Sequence, residues 1–151
     1  MNNVELAKSN LRQASERLKH AREAVETGNY PYAVRQSQEA VELVLKGALR
    51  LVGIEPPKWH DVGPVLKRER ERFPPEFRVH IDRIASISRS LRKERELAMY
   101  GDETTGIPPE ELYTREDALE YLEKAEFVVE RVIELYERLF GGHEGPIGSG
   151  G

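Results

Sequence analysis

Residues 4–25 read VELAKSNLRQASERLKHAREAV, and their apolar positions return every seventh residue. Val4, Leu11, Leu18 and Val25 form one line, and Ala7, Ala14 and Ala21 form another. A heptad of this kind lies along one face of an α-helix, and the alanines beside it let a second helix approach closely. The stretch therefore predicts a long helix in a bundle. Gly28 ends it, because a left-handed cap costs glycine nothing. Pro31 suits the first turn of a second helix, whose buried stripe reads Ala33, Ser37, Ala40, Val41, Val44, Leu45, Ala48 and Leu49. Gly53 and Pro56-Pro57 close that helix.

The same signals divide the rest of the chain. A short third helix is expected near Asp61 with Pro64 in its first turn, contributing Val65, Leu66 and Phe73 before Pro74-Pro75 interrupts. A fourth is expected from about Glu76 to Met99. The loop from Gly101 to Pro109 holds two glycines and two prolines. Thr114 caps the last helix, with Asp117 three residues on in a capping-box arrangement. Its stripe reads Ala118, Tyr121, Leu122, Ala125, Val128, Val129, Val132, Leu135, Tyr136 and Leu139. Gly141-Gly142 stops it. The fold class is all-α: an up-and-down antiparallel bundle of about five helices, four long and one short, over residues 1–141. Residues 142–151 read as a flexible glycine-rich tail.

Composition narrows the chemistry. A chain of 151 residues suits one domain, and 33% charged residues fit amphipathic helices with ionised outer faces. There is no cysteine, which removes disulfides, thiolate metal sites and cysteine nucleophiles and fits a reducing cytoplasm. The N-terminus has no apolar signal core, and no stretch nears the roughly 18 apolar residues of a membrane span. A cytoplasmic protein without membrane, metal or cofactor is expected. Abundant Arg and Glu also fit a heat-adapted source. Nothing carries the spacing of a metal site, a phosphate loop or a nucleophile triad. Charge is unevenly spread: Leu66 to Arg95 holds ten basic residues against five acidic, and Glu103 to Leu139 holds four against eleven. The basic segment suits an anionic ligand, although opposite charges meeting across neighbouring helices would give the same pattern.

The fourth helix carries the informative irregularity. Its helical face runs Phe77, Ile81, Ile84, Ser88, Leu91, Arg95 and Ala98, which places an arginine on the buried stripe. A buried arginine needs a partner: a carboxylate such as Glu42, an acid of the last helix, another subunit or an anionic ligand. Arg92 and Ser88 lie within two turns of Arg95, and Tyr100 and Asp102 close the helix.

Around these residues the chain resembles the HEPN family of small helical domains. Residues 32–49, YAVRQSQEAVELVLKGAL, look like the family segment in which Glu and Lys stand four apart, here Glu42 and Lys46. His60, in Lys58-Trp59-His60-Asp61-Val62, falls where the family often places a histidine opening its next helix. Residues 91–102, LRKERELAMYGD, resemble its late motif, an arginine followed by Ala and Tyr. The likeness runs from about Glu5 to Leu139.

The resemblance implies a site made by two subunits, so a homodimer, and a metal-independent ribonuclease chemistry in the active members. Those members carry an Arg, four to six intervening residues, then a His. Counting from Arg95, the matching positions hold Tyr100, Gly101 and Asp102. The histidine is missing. Cleavage through the RNA 2′-hydroxyl needs a base and an acid tuned near neutrality, and an ordinary tyrosine, with a pKa of about 10, serves poorly as either. His20 lies on a charged face, His143 in the tail, and His80 about 22 Å of helical rise before Arg95. The leading expectation is therefore a nucleotide- or RNA-binding protein without cleavage, half of a toxin–antitoxin-like pair with a minimal nucleotidyltransferase. Its ligand set is Arg92, Arg95, Ser88, Tyr100, Glu42 and Lys46. The alternatives are a working endoribonuclease using Arg95 with His60, Tyr100 or Asp102, and a purely structural dimer module. Tyr100 suits base stacking or adenylylation by the partner, on the family's analogy. Trp59 reads most simply as a lid over the second helix, and Tyr121 and Tyr136 as core or interface.

Overall fold

The computed structural model describes residues 3–58 and 61–141. Trp59, His60, His143 and the glycine-rich tail lie outside the described residues. Among the described residues seven α-helices follow in order: α1 (Asn3–Glu26), α2 (Tyr30–Leu51), α3 (Gly63–Arg68), α4 (Pro75–Arg78), α5 (Ile81–Tyr100), α6 (Pro109–Leu112) and α7 (Arg115–Phe140). A 3₁₀ turn over Arg70–Arg72 lies between α3 and α4. The architecture is the all-α bundle expected, with α1, α2, α5 and α7 as its four long members.

The seam of α1 is built as its heptad requires. Ala7, Leu11, Ala14, Leu18 and Ala21 are buried against α2 and α7. Gly47 on α2 sits so close that a Cβ there would meet Leu11 Cδ1 at 2.7 Å and Asn10 Cβ at 3.1 Å. Arg50 Nη1 then donates to Asn10 Oδ1 at 2.6 Å, fastening the same crossing. The turn between the helices closes as a glycine cap: Asn29 N–H donates to the Ala24 carbonyl at 2.8 Å, with Gly28 at φ +81°.

Helix α2 is the central element and packs on α1, α5 and α7. All eight stripe residues read from its sequence are buried, and so are Val34, Gln36, Gln38, Gly47 and Leu51. Such all-round burial marks a helix with neighbours on several sides. Helix α7 begins with the capping box, Asp117 N–H donating to Thr114 Oγ1 at 3.1 Å and Thr114 N–H to Asp117 Oδ2 at 3.0 Å. Its stripe is buried except for half-buried Tyr121 and exposed Leu139 near the free end.

The expected fourth helix is two elements. Phe77 stacks on Phe73 with centroids 5.0 Å apart, and the backbone tightens to a three-residue bond from His80 N–H to the Phe77 carbonyl at 2.9 Å. The chain turns there, leaving Val79 exposed, and α5 starts afresh with Ile81 and Ile84 in the core. His80 occupies the N-cap of α5, its ring edge-on to Phe127 at 5.5 Å. Asp61 fixes the other flank of α5: its Oδ1 accepts from Gly63 N–H at 3.1 Å, opening α3, and from Ser88 Oγ at 2.7 Å.

Candidate functional site

Helices α2 and α5 run against each other, and the face of α2 beyond the buried stripe carries Glu39, Glu42, Leu43 and Lys46. Opposite, α5 contributes Arg92 and Arg95 one turn apart. Arg17 from α1 and Lys58 from the α2–α3 connection complete the rim of a cleft of about 320 Å³. A second hollow of about 620 Å³ adjoins it along the end of α5, sharing Arg92 and Arg95 and bounded by Lys93, Glu96, Met99 and Tyr100. The two arginines therefore stand on the ridge between two depressions.

Arg95 is not buried. Its side chain is 55% exposed, and among the described residues its one contact with an acid is Nη1 to Glu42 Oε2 at 3.9 Å, beyond hydrogen-bonding distance. The helical period assigned Arg95 to the core face, but from residue 91 to residue 100 only Leu91 and Ala98 are buried. A period gives direction, and the depth at which a side chain ends depends on how far neighbouring helices extend. The buried-arginine expectation is corrected accordingly: the residue is a cation at a cleft mouth, loosely held by the carboxylate named as its partner.

Of the other ligand candidates, Glu42 and Lys46 share this cleft with Arg92, and Tyr100 stands 62% exposed at the end of α5. Lys46 and Tyr100 have no partner among the described residues. Ser88 is elsewhere: it is buried and committed to Asp61. Its hydroxyl holds the start of α3, so it is withdrawn from the ligand set. Asp102 is likewise structural. Its Oδ1 accepts from Thr104 N–H at 3.1 Å and Thr105 N–H at 3.2 Å, and its backbone pairs with Ile107. A carboxylate closing its own turn is a poor proton carrier for another group. His60, the remaining catalytic candidate, lies outside the described residues. His20, also weighed and set aside, meets Glu16 at 3.3 Å on the surface of α1.

Three contributors escaped the sequence reading. Arg17 and Glu39 pair across α1 and α2 at 3.1 Å, and Lys58 comes from a connection whose path no local pattern sets. The far flank of α5 holds a fourth group. Tyr113, buried just before α7, donates to Glu94 Oε1 at 2.9 Å, and burial with that acceptor pushes its phenol well above the ordinary tyrosine range. Burial, followed by the charge of Glu94, raises Tyr121 as well. Glu94 thus ties the outer half of α5 to the segment leading into α7, so the helix bearing Arg92 and Arg95 is braced from behind. Among the described residues no group of three His, Asp or Glu side chains is placed to hold a metal ion. No helix there is long and apolar enough to cross a membrane.

A direct comparison agrees with the resemblance as a whole. The family model of the HEPN domain matches residues 7–137. The chain belongs to the HEPN family. The matched span covers both clefts and every helix that lines them, and it lies inside the stretch from Glu5 to Leu139 that carried the resemblance. A search among curated proteins returned no match. Arg95 stands on the rim of the cleft, and no histidine follows it at Tyr100, Gly101 or Asp102.

Proposed function

We propose that this HEPN protein binds a nucleotide or RNA phosphate at the Arg92/Arg95 ridge without cleaving it. On this reading it acts as a dimer, as one half of a pair with a minimal nucleotidyltransferase. The observation that carries the reading is Arg95: a motif arginine held open at a cleft mouth, with Lys46, Lys58 and Arg92 around it and its nearest carboxylate 3.9 Å away. Guanidinium groups suit phosphate because their planar fork meets two oxygens at once. Tyr100 beside them offers an exposed ring on which a base can stack. No histidine stands at the motif positions, and Asp102 is committed to its own turn, which takes two of the proton carriers that cleavage would use out of play.

Dimerisation is supported by Met99 and Tyr100, large side chains exposed at the end of α5 beside the ridge. A two-fold contact there sets the two arginine motifs facing each other. The test is a titration of purified protein with a nucleotide mixture and with short unstructured RNA, in chelator, followed by light scattering and by electrophoresis of the RNA. Binding by a dimer with intact RNA is expected. RNA cut by pure wild type and spared by Arg95→Ala would replace this reading with the endoribonuclease one, and no binding of either ligand would leave a structural dimer module.

A further inference from the structure

We infer that the cleft between α2 and α5 selects guanine, with Glu42 accepting the N1–H and N2–H donors of the base while the surrounding cations hold the attached phosphate. The inference rests on the nucleotide-binding reading above and names the ligand class of that site.

A cleft shaped only for phosphate has no use for a carboxylate, which repels it. Two acids nevertheless line this one. Glu39 is accounted for, since Arg17 Nε donates to its Oε1 at 3.1 Å. Glu42 is not. Its Oε2 lies 3.4 Å from Gln38 Nε2 and 3.9 Å from Arg95 Nη1, both at the outer edge of an interaction, and its Oε1 has no partner among the described residues. The side chain is 28% exposed, so water reaches it only in part. A part-sheltered carboxylate presents acceptors alone and calls for donors.

Two oxygens in one plane fit two donors side by side. Among the four common RNA bases guanine alone offers that pair on one edge, N1–H next to N2–H. Adenine and cytosine offer a single amino group beside a ring acceptor, and uracil one N–H between two carbonyls, so each sets an acceptor against a carboxylate oxygen. The guanine pairing is bidentate and charge-assisted, which makes it both strong and selective. Next round the ring from N1 is O6, an acceptor, and Arg95 beside Glu42 supplies the guanidinium donor that commonly meets it. Lys46 and Lys58 on the same rim face the phosphate. The loose Glu42–Arg95 contact is then the resting form of a reader whose two halves turn to adjacent atoms of one base.

The same chemistry serves a free guanine nucleotide or a guanine in an unpaired strand, and the assay separates the two. Full-length protein is titrated, in chelator at low fixed salt, with short adenine tracts carrying one central G, C, U or A. GMP and AMP are titrated in parallel. Wild type should prefer the G strand by roughly 5- to 150-fold, the range of one good bidentate base contact. Equal affinity for GMP and the G strand assigns the site to free nucleotide, and a much tighter strand assigns it to RNA. Glu42→Gln takes a negative charge out of a cationic cleft, so its affinity for G-free strands should hold or rise while the preference for G disappears. A fall in affinity for every ligand alike would mean that Glu42 only positions Arg95, and would overturn the inference. So would wild type binding all four strands equally, or a G preference that survives Glu42→Gln; either result leaves the nucleotide-binding reading standing. Failure to bind any strand or mononucleotide removes that reading, and this inference with it.

Discussion

Arg95→Met separates a ligand-holding arginine from a structural one. Methionine keeps a long apolar stem and removes only the guanidinium, so packing along α5 is largely preserved. The guanidinium's partner among the described residues is Glu42 at 3.9 Å, with the two side chains 55% and 28% exposed. Ion pairs this open contribute about 0 to 1 kcal/mol. For a chain of this size the loss is a fall in Tm of no more than about 2 to 4 °C. A buried pair would behave differently, since stranding its carboxylate costs about 3 to 5 kcal/mol. The same substitution should weaken phosphate binding at every salt concentration. The assay is a thermal melt followed by circular dichroism, with and without short RNA, alongside an RNA titration of both proteins. A near-unchanged melt with lost ligand stabilisation is expected. A fall of about 10 °C with undiminished RNA affinity would refute the reasoning and make Arg95 a structural residue.

Three further outcomes follow from the geometry. The Tyr113 phenol is held neutral by burial and Glu94, while in the unfolded chain it ionises near pH 10, so the folded state loses stability as pH rises above that value. Tyr113→Phe should therefore lose less stability than wild type between about pH 10 and 12 in alkaline melts, and parallel curves would count against the assignment. Gly101 sits at φ +77° and ψ −171°, a conformation open essentially to glycine, and a Cβ there would run into the Ile107 carbonyl oxygen. Gly101→Ala should cost at least about 1 to 3 kcal/mol, read as a lowered Tm, and an unaltered melt would show that the α5–α6 loop does not need this turn. If histidine is what the motif lacks, Tyr100→His should give weak chelator-resistant RNA cleavage that a second change, Arg95→Ala, abolishes; cleavage indifferent to Arg95 would contradict that.

Legibility in the sequence followed locality. The capping box at Thr114, the Gly28 turn and the heptad of α1 are set by residues within a few positions of one another, and the structure shows each of them. The break between α4 and α5 has no proline or glycine at Val79-His80 to announce it, and it lies just after Phe77, which stacks on Phe73. Ser88 looked like a ligand on its helical face, but its partner Asp61 arrives from 27 residues away. Arg95 was placed on the correct helix and misjudged in depth, for the helical wheel says nothing about where α2 ceases to cover α5. Asp102 was the avoidable error. An aspartate followed by Glu103-Thr104-Thr105 between glycines is an Asx-turn pattern, and its carboxylate could have been assigned to the loop from sequence.

The central claim, phosphate held at the Arg92/Arg95 ridge, is tested most directly by the salt dependence of RNA binding. Each phosphate neutralised on a single strand contributes about 0.7 to the slope of log K against log salt. The measurement is fluorescence anisotropy of a short unstructured RNA across a salt series, for wild type and for Arg92→Ala/Arg95→Ala. Wild type should bind with a clear negative slope, and the double variant should bind more weakly with a slope shallower by about 1.4. An identical slope and affinity in the two proteins would contradict the claim.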